Sequence, residues 1–303
     1  MKVSIITPFY EGNEYAVQYR QMMEHNAANL SVGDSMEVII VNDSPWCLIE
    51  IPMEQTYHIG ESKEVVERLT LLVIENEKNS GIHASRIHGL QECTGEFVIF
   101  LDQDDTLEDY AVAEFIRQAD LAEDVIISNA ILENATGSAL WYRTDYHKNK
   151  IWDFETYIKV GTQIISPGQC MIRKTSMPEA WMQWVCTKNG SDDYYLWLLL
   201  LNDGRKHVFV DKPLYTHRYT ARNLSADTRV TDDSSYQFME YLELNEHFPN
   251  EAIAILRTMI DYKDRFRNGS KWEKLTLSLK HPDLFVTNLV FKMKSKTPYG
   301  FNR

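Results

Sequence analysis

Residues 95–105 read Gly-Glu-Phe-Val-Ile-Phe-Leu-Asp-Gln-Asp-Asp, so five consecutive apolar residues run directly into four polar ones, three of which are acids. An apolar run of this length, rich in β-branched and aromatic residues, predicts a buried strand. The change from apolar to polar residues at Asp102 predicts that the strand ends there. The stretch is therefore typical of a strand that delivers carboxylates to the end of a sheet.

Similar apolar runs precede this stretch and others follow it. The earlier runs are Val3–Ile6, Val38–Val41 and Leu71–Ile74, and the later ones lie near residues 125–127 and 208–210. Segments with helical spacing separate the early runs, one around Tyr15, Tyr19, Met22 and Met23 and another over 84–93. Short apolar strands alternating with amphipathic helices predict the α/β class, with a mostly parallel sheet covered on both faces. From about residue 232 onward the chain is predicted to be helical.

The composition excludes several classes of protein. The 303 residues include 44% hydrophobic and 12% aromatic residues, which is too much apolar content for a disordered chain. A net charge of -13 argues against a general nucleic-acid binder, which gains affinity from clustered Lys and Arg. The four cysteines form no CxxC pair, which favours free thiols in a reducing compartment such as the cytoplasm. We expect no signal peptide and no transmembrane helix, because no apolar run approaches about 18 residues.

Polar residues follow each of the first four apolar runs, at 7–11, 42–44, 75–81 and 102–105. Ligands of open parallel sheets bind outside the carboxyl ends of the strands, which makes these four tips the candidate site. The alternative is that Asn, Asp, Ser and Gly serve there only as turn and cap residues.

Asp102 and Asp104 are two positions apart, and strand alternation would point both carboxylates to the same side. Two carboxylates that face one crevice repel each other. A divalent cation such as Mg²⁺ or Mn²⁺, which takes one or two carboxylates together with phosphate oxygens, would relieve that repulsion. The sequence thus indicates a metal bridged to a diphosphate, and a solvated acidic turn is the alternative.

The order of these motifs resembles the large family 2 of inverting glycosyltransferases, which have a GT-A fold. The resemblance covers roughly residues 1–225 and is most specific over residues 79–105. It implies the metal-dependent transfer of a sugar, as by a hexosyltransferase, from a nucleotide diphosphate donor, usually UDP-linked. The acceptor would be a hydroxyl of a glycan or lipid-linked glycan. We expect a catalytic domain over 1–230, with a nucleotide-sugar half (1–105) and an acceptor half (106–230), and a helical, basic extension over 231–303.

The resemblance also implies roles for individual residues. The donor-binding residues would be Thr7, Pro8, Tyr10, Glu11, Asp43, Asn79, Arg86, Asp102, Gln103 and Arg218. Asp104 would be the principal metal ligand, with Asp102 and His217 as further candidates. Family members usually carry two acids where this chain has Asn42 and Asp43, so the base-binding role is assigned to Asp43. Asp105 would cap the next helix or support the loop.

The segment 191–197, Ser-Asp-Asp-Tyr-Tyr-Leu-Trp, resembles the acidic pair that opens a helix in this family. By that match Asp193 is the catalytic base, while Asp192 stands on the acceptor side where relatives have Glu. The alternative is helix capping, since Ser191 is a good N-cap residue and acids in a first turn favour the helix dipole. Gln169, in a segment that resembles the acceptor-site turn, is either an acceptor contact or a plain turn residue.

Residues 257–303 carry 11 Lys and Arg against 4 Asp and Glu, a net +7 in a chain that is acidic as a whole. Apolar residues between Leu284 and Met293 lie close there to Lys292, Lys294 and Lys296. This pattern resembles a basic amphipathic element able to lie on an anionic bilayer at the cytoplasmic face. A helix packed back on the catalytic domain is the alternative.

Two other functions fit a sheet of this kind. A nucleotidyltransferase would carry a Gly-rich, Arg-containing loop after the first strand, which residues 7–12 lack. A non-catalytic binder of nucleotide sugars or glycans would have no need to keep Asp102, Asp104 and Asp193 together. The transferase is therefore the leading hypothesis.

Overall fold

A computed structural model describes residues 1–49, 68–119, 124–219, 223 and 228–297, and the chain divides into two compact units. The first unit comprises Met1–Ser138, Ser166–Met177 and Arg205–Tyr219. The second comprises Ala139–Ile165, Pro178–Gly204 and Thr220–Arg303. The predicted division of the chain at residue 230 stays a prediction.

The sheet has its parallel strands at one side and mixed pairing at the other. In chain order its strands are β1 (Lys2–Phe9), β2 (Ser35–Asn42), β3 (Leu69–Glu75), β4 (Phe97–Phe100), β5 (Thr106–Leu107), β6 (Val125–Asn134), β7 (Gly137–Leu140), β8 (Cys170–Arg173) and β9 (His207–Arg218). In space the order is β3-β2-β1-β4-β8-β6-β9-β5, with β7 beside β6. Strands β1 to β4 pair in parallel, and β6 pairs in parallel with β9, whereas β8 is antiparallel to β4 and β6, and β5 to β9. The predicted α/β class with a mostly parallel sheet is confirmed.

The first unit also contains the helices α1 (Asn13–Ala28), α2 (Ile82–Glu92) and α3 (Ala111–Gln118). The spacing predicted for α1 is correct, since Tyr19, Met22 and Met23 are buried. Strand β4 is entirely buried, as a strand covered on both faces should be. On α2, a Cβ at Gly89 would lie 2.4 Å from Ile6 Cγ2, so this glycine allows the helix to approach β1 closely.

Strand β8 begins only at Cys170, because residues Pro167–Gln169 before it form a single 3₁₀ turn. Proline has no N–H to donate to a ladder, which explains why the strand begins after it.

The second unit is helical, which confirms the prediction for the C-terminal region. Its helices are α4 (Asp145–Lys148), α5 (Phe154–Val160), α6 (Glu179–Gln183), α7 (Asp192–Asn202), α8 (Thr228–Leu244), α9 (Asn250–Asn268), α10 (Lys271–Lys280) and α11 (Pro282–Ser295). Helix α9 contacts α5, α8 and α10, while α11 contacts α4 and α5. None of the helices within the described ranges is long and apolar enough to cross a membrane.

A buried glutamate on β2 holds the start of β4 in place. Glu37 accepts hydrogen bonds from the Ser4 hydroxyl (2.6 Å), the Thr94 hydroxyl (2.7 Å) and the Gly95 N–H (3.1 Å), and it pairs with Lys2 Nζ at 2.6 Å. Burial alone would raise the pKa of Glu37, but the hydrogen bonds from Lys2, Ser4 and Thr94 outweigh it and lower the pKa to about 2. The carboxylate therefore stabilises the strand that ends at the acidic loop.

We expect Glu37→Gln to lower the free energy of unfolding at pH 7 by about 1–3 kcal/mol, the usual range for losing hydrogen bonds to a buried charge. Because the folded-state pKa is depressed, this stabilisation is present above pH 4.5 and is lost as the pH falls toward about 2. Urea unfolding at pH 7, 4 and 3 measures it. Glu92→Gln, at the exposed end of α2, is the matched control. A difference between parent and variant that does not shrink in acid would contradict this assignment.

Candidate active site

The four residues after β4 form a turn rather than a continuation of the strand. Strand β4 ends at Phe100, and the Asp105 N–H donates to the Asp102 carbonyl at 3.2 Å. The alternation expected to place Asp102 and Asp104 side by side is therefore wrong for these residues, because a turn does not keep the two-residue period. We call residues 102–105 the acidic loop.

Asp102 is tied to α2 and to the turn before β8. Its Oδ1 accepts from Arg86 Nη2 at 2.6 Å, and its Oδ2 accepts from the Ser166 hydroxyl at 3.2 Å. Arg86 is almost completely buried. Burial raises the pKa of Asp102, although the adjacent Arg86 guanidinium opposes the rise. The structure thus brings together Arg86 and Asp102, both predicted to bind the donor.

Asp104, like Asp102, is partly exposed, whereas Asp105 is buried. Burial, followed by the charges of Asp105 and Asp102, raises its pKa from 3.8 to about 7. The predicted carboxylate repulsion is therefore present, although it arises in a turn. A cation placed beside Asp104 would favour the charged form and remove this penalty.

Asp105 fastens the acidic loop to the end of β9. Its buried carboxylate accepts hydrogen bonds from the Tyr215 hydroxyl and from the Arg218 N–H at 3.0 Å, and it lies 3.0 Å from His217 Nδ1. Burial, with the neighbouring Asp105 charge, raises the pKa of Tyr215 well above its usual value. Tyr215 therefore remains a hydrogen-bond donor. Of the two roles expected for Asp105, capping the next helix or supporting the loop, these contacts fit the second.

The loop after β1 is bonded to the acidic loop through Gln103. The Tyr10 N–H donates to Gln103 Oε1 at 2.9 Å, and Gln103 Nε2 donates to the Tyr10 carbonyl at 3.2 Å. A Cβ at Gly12 would lie only 2.2 Å from Gln103 Oε1, so glycine leaves the space that this amide occupies. Two segments predicted to bind the donor are thus joined directly.

Two exposed aromatic rings meet beside this loop. Tyr10 is 45% exposed and lies edge-on to Trp46, with ring centroids 6.0 Å apart. Trp46 Nε1 donates to Glu11 Oε1 at 3.1 Å, and the Glu11 N–H donates to the Ser44 hydroxyl at 3.0 Å. Sequence reasoning missed Trp46. A tryptophan two residues after a polar strand tip was the available signal.

Other residues predicted to bind the donor make internal contacts. Thr7 is completely buried, with its hydroxyl 2.6 Å from the Tyr19 hydroxyl. Asp43 is also buried, and it accepts from Asn76 Nδ2 (2.8 Å) and from the N–H groups of Ser80 (2.7 Å) and Gly81 (2.9 Å). Asp43 therefore shapes the turn that leads into α2.

The remaining predicted residues of the first unit lie on several elements. Pro8 is partly exposed near the end of β1, and exposed Asn79 accepts from the Gly81 N–H at 3.2 Å. Gln169 is fully buried, and its Nε2 donates to the Ser128 carbonyl at 2.7 Å, which joins it to β6. Arg218 Nη1 donates to Gln18 Oε1 at 3.2 Å. The predicted ligand roles of these four side chains stay predictions.

The acidic pair lies at the start of α7, in the second unit. Ser191 occupies the N-cap position, but its hydroxyl donates to the Thr231 carbonyl at 3.0 Å and makes no cap bond to α7. The alternative in which the Ser191 side chain caps α7 is therefore wrong. Asp192 is buried, whereas Asp193 is partly exposed and accepts the Tyr194 N–H at 2.7 Å. Of the two acids, Asp193 is the more accessible.

Within the described ranges, no group of three or more His, Cys, Asp or Glu side chains is arranged to hold a metal ion. Mg²⁺ and Mn²⁺ often use only one or two protein carboxylates, with phosphate oxygens and water completing the shell. Asp104, an oxygen donor whose pKa is raised by burial and by the neighbouring carboxylates, fits that requirement.

Comparisons with known proteins relate part of this chain to glycosyltransferases. Residues 58–179 match the model of the family described as Glycosyl transferase family 2. The chain is 22% identical over 236 residues to glycosyltransferase GlyA of Streptococcus pneumoniae, which covers 74% of this chain and 31% of that protein. It is 31% identical over 107 residues to the cholesterol galactosyltransferase of Borreliella burgdorferi, over 35% of this chain and 26% of that protein. The chain thus spans about a third or less of these curated relatives.

Solved structures share the fold. The crystal structure of S. aureus TarS residues 1–349 in complex with UDP-GlcNAc superposes with a TM-score of 0.56 at 19% identity, over 97% of this chain and 82% of that one. The mannosyltransferase PcManGT of Pyrobaculum calidifontis, in complex with GDP-Man and Mn²⁺, superposes with a TM-score of 0.50 at 13% identity, over 96% and 80%. The match over residues 58–179 relates this part of the chain to the glycosyltransferases of family 2, and the shared fold confirms the predicted GT-A fold.

Proposed function

We propose that this protein is an inverting, metal-dependent glycosyltransferase that moves a hexose from a nucleoside diphosphate sugar to a hydroxyl of a glycan or lipid-linked glycan. The observation that carries the proposal is the acidic loop, in which Asp104 has a pKa of about 7 beside the Arg86–Asp102 ion pair. Such a carboxyl is suited to a cation that in turn holds a diphosphate.

The donor would bind at the tips of β1 and β4, where Gln103 joins the two loops. Tyr10 offers an exposed ring to a nucleobase, and Glu11 stands next to it. UDP is the favoured nucleotide because TarS was solved with UDP and with UDP-GlcNAc, whereas PcManGT was solved with GDP-Man. Arg86, tied to Asp102, would set the position of that carboxylate at the ribose.

Inverting transfer is one displacement at the anomeric carbon, so it needs a base for the acceptor hydroxyl. We assign this role to Asp193, which would take the hydroxyl proton as the oxygen attacks and the diphosphate leaves. Its partial exposure at the start of α7 supports the assignment, while buried Asp192 would line the acceptor side. The bound metal would supply electrostatic stabilisation of the leaving diphosphate, with Asp104 as its ligand and Asp102 and His217 as further candidates.

A thermal-shift panel tests the proposal directly. We expect UDP and UDP-sugars to raise the melting temperature in the presence of Mn²⁺, because a ligand that binds only the folded state must stabilise it. GDP, GDP-mannose and nucleoside triphosphates form the other arms. Release of UDP from a UDP-sugar then separates an enzyme from a binder.

The possible outcomes separate the competing functions. Stabilisation by nucleoside triphosphates, but by no nucleoside diphosphate sugar, would favour a nucleotidyltransferase and overturn the proposal. Stabilisation by UDP-sugars without any UDP release, in the presence of Mn²⁺ and a range of glycan acceptors, would favour a non-catalytic binder. The control is Asp109→Asn, an exposed acid that lies near His25 and outside the acidic loop.

A further inference from the structure

Helix α11 packs against the second unit through one face only. Leu284 and Phe291 are buried, and the Phe291 ring lies 5.5 Å from the His147 ring. Asn288 Nδ2 donates to the Lys159 carbonyl at 3.1 Å, and the Thr144 hydroxyl donates to the Lys294 carbonyl at 2.9 Å. Leu284 and Phe291, which belong to the apolar set predicted to face a membrane, thus point into the unit.

Both helices at the end of the described chain nevertheless carry a second apolar face. On α10, Trp272, Leu275 and Leu279 are 50–76% exposed, while Leu277 is buried. Their spacing of three and four residues places them on one side of the helix, away from Leu277.

The pattern repeats on α11. Val286, Leu289 and Met293, with the same spacing, are 39–68% exposed, on the side away from buried Leu284. Helices α10 and α11 contact each other. We call these six exposed side chains the outer stripes. Large apolar side chains exposed in a row are unusual on a soluble surface and mark interaction sites.

The charges around the outer stripes are mostly positive. The exposed lysines of this segment are Lys271, Lys280, Lys292, Lys294 and Lys296. Over 271–296 only Glu273 and Asp283 oppose them. An apolar stripe flanked by lysines is the pattern of a helix that lies in the interface of an anionic bilayer.

We propose that the outer stripes of α10 and α11 bind the surface of an anionic lipid bilayer, with Trp272, Leu279 and Met293 inserted among the headgroups. A second copy of the chain is a poorer occupant, because a two-fold contact through the same surface would bring identical lysines together. The proposal goes beyond the transferase activity and does not depend on it.

Flotation of the full chain with vesicles tests the proposal. We expect binding to vesicles of equal parts phosphatidylcholine and phosphatidylglycerol, weakening as salt is added, and little binding to pure phosphatidylcholine. The triple variant Trp272→Ser, Leu279→Ser, Met293→Ser should bind the anionic vesicles about tenfold more weakly or worse. A charge variant, Lys271→Gln, Lys280→Gln, Lys292→Gln, should bind the anionic vesicles more weakly by a similar factor.

The matched control replaces three exposed apolar residues outside these two helices, Val17→Ser, Val32→Ser and Leu244→Ser, and should bind like the parent. Circular dichroism and the thermal unfolding transition confirm that each variant is folded. The proposal is overturned if both stripe and charge variants bind vesicles like the parent, or if binding is equal on neutral and anionic vesicles. It is also overturned if the parent does not bind vesicles but forms a dimer that the triple variant cannot form.

Discussion

Asp104→Asn is expected to abolish the Mn²⁺-dependent turnover of a UDP-sugar, with a loss of about 100-fold or more in UDP release. The same change should stabilise the metal-free protein. The pKa of Asp104 is raised from 3.8 to about 7, so the folded state holds this proton more tightly than the unfolded chain. The stability that this proton contributes is full below pH 3.8 and is lost as the pH rises to about 7.

Asparagine carries no charge at any of these pH values, so it removes the destabilisation that the charged Asp104 causes at high pH. At pH 8 we therefore expect Asp104→Asn to raise the free energy of unfolding of the metal-free protein by roughly 1–2 kcal/mol, after allowance for solvent screening at a partly exposed group. At pH 4 the two proteins should be equally stable. Mn²⁺ should raise the melting temperature of the parent at pH 8 and leave that of the variant unchanged.

These measurements separate a metal ligand from a residue that only shapes the loop. Asp109→Asn, an exposed acid near the acidic loop, is the control and should behave like the parent in every assay. If Asp104→Asn keeps the parental response to Mn²⁺ and the parental rate of UDP release, the metal assignment is wrong.

Asp193→Asn is expected to lower sugar transfer about 100-fold or more while UDP binding stays within about twofold of the parent, because a general base contributes 10²–10⁴-fold to rate and not to donor affinity. The Asn side chain keeps the size of the residue but is a poor base. Donor hydrolysis, which is transfer of the sugar to water in place of the acceptor, should fall by the same factor and is the activity assay. Calorimetry with UDP is the binding assay.

The control for this variant is Asp203→Asn, an exposed acid directly after the other end of α7. It should leave both assays unchanged. Loss of folding in Asp193→Asn alone would instead assign the carboxylate to the first turn of α7, where it accepts the Tyr194 N–H. Parental hydrolysis in a folded Asp193→Asn would reject the base assignment.

The elements of the fold were predictable because their signals are local. Apolar runs fixed the positions of β1 to β4, and the periodicity around Tyr19 and Met23 predicted α1. The antiparallel insertion of β8 between β4 and β6 was not predictable, because nothing in a four-residue strand encodes which partner it meets. Strand pairing of this kind depends on tertiary packing.

The site was predictable in its residues and less so in its geometry. The acids of the acidic loop follow a recognisable strand, but the turn over residues 102–105 contains no proline or glycine that would have predicted it. The contact between Asp105 and Tyr215 joins residues 110 positions apart. On α11, the sequence left open whether the apolar residues face a membrane or pack on the protein, and only the three-dimensional structure shows that Leu284 and Phe291 are buried.

The amide of Gln103 fills the space left by Gly12 and exchanges two hydrogen bonds with the backbone of Tyr10. A loop exchanged into this protein in place of residues 7–12 would therefore have to keep a glycine at position 12 and a backbone that reaches the Gln103 amide. A larger residue at position 12 would collide with Gln103, and a shorter side chain at 103 would leave the Tyr10 N–H without its acceptor. Residues 7–12 and the acidic loop thus form one structural unit, and an exchange that alters these contacts must replace both segments together.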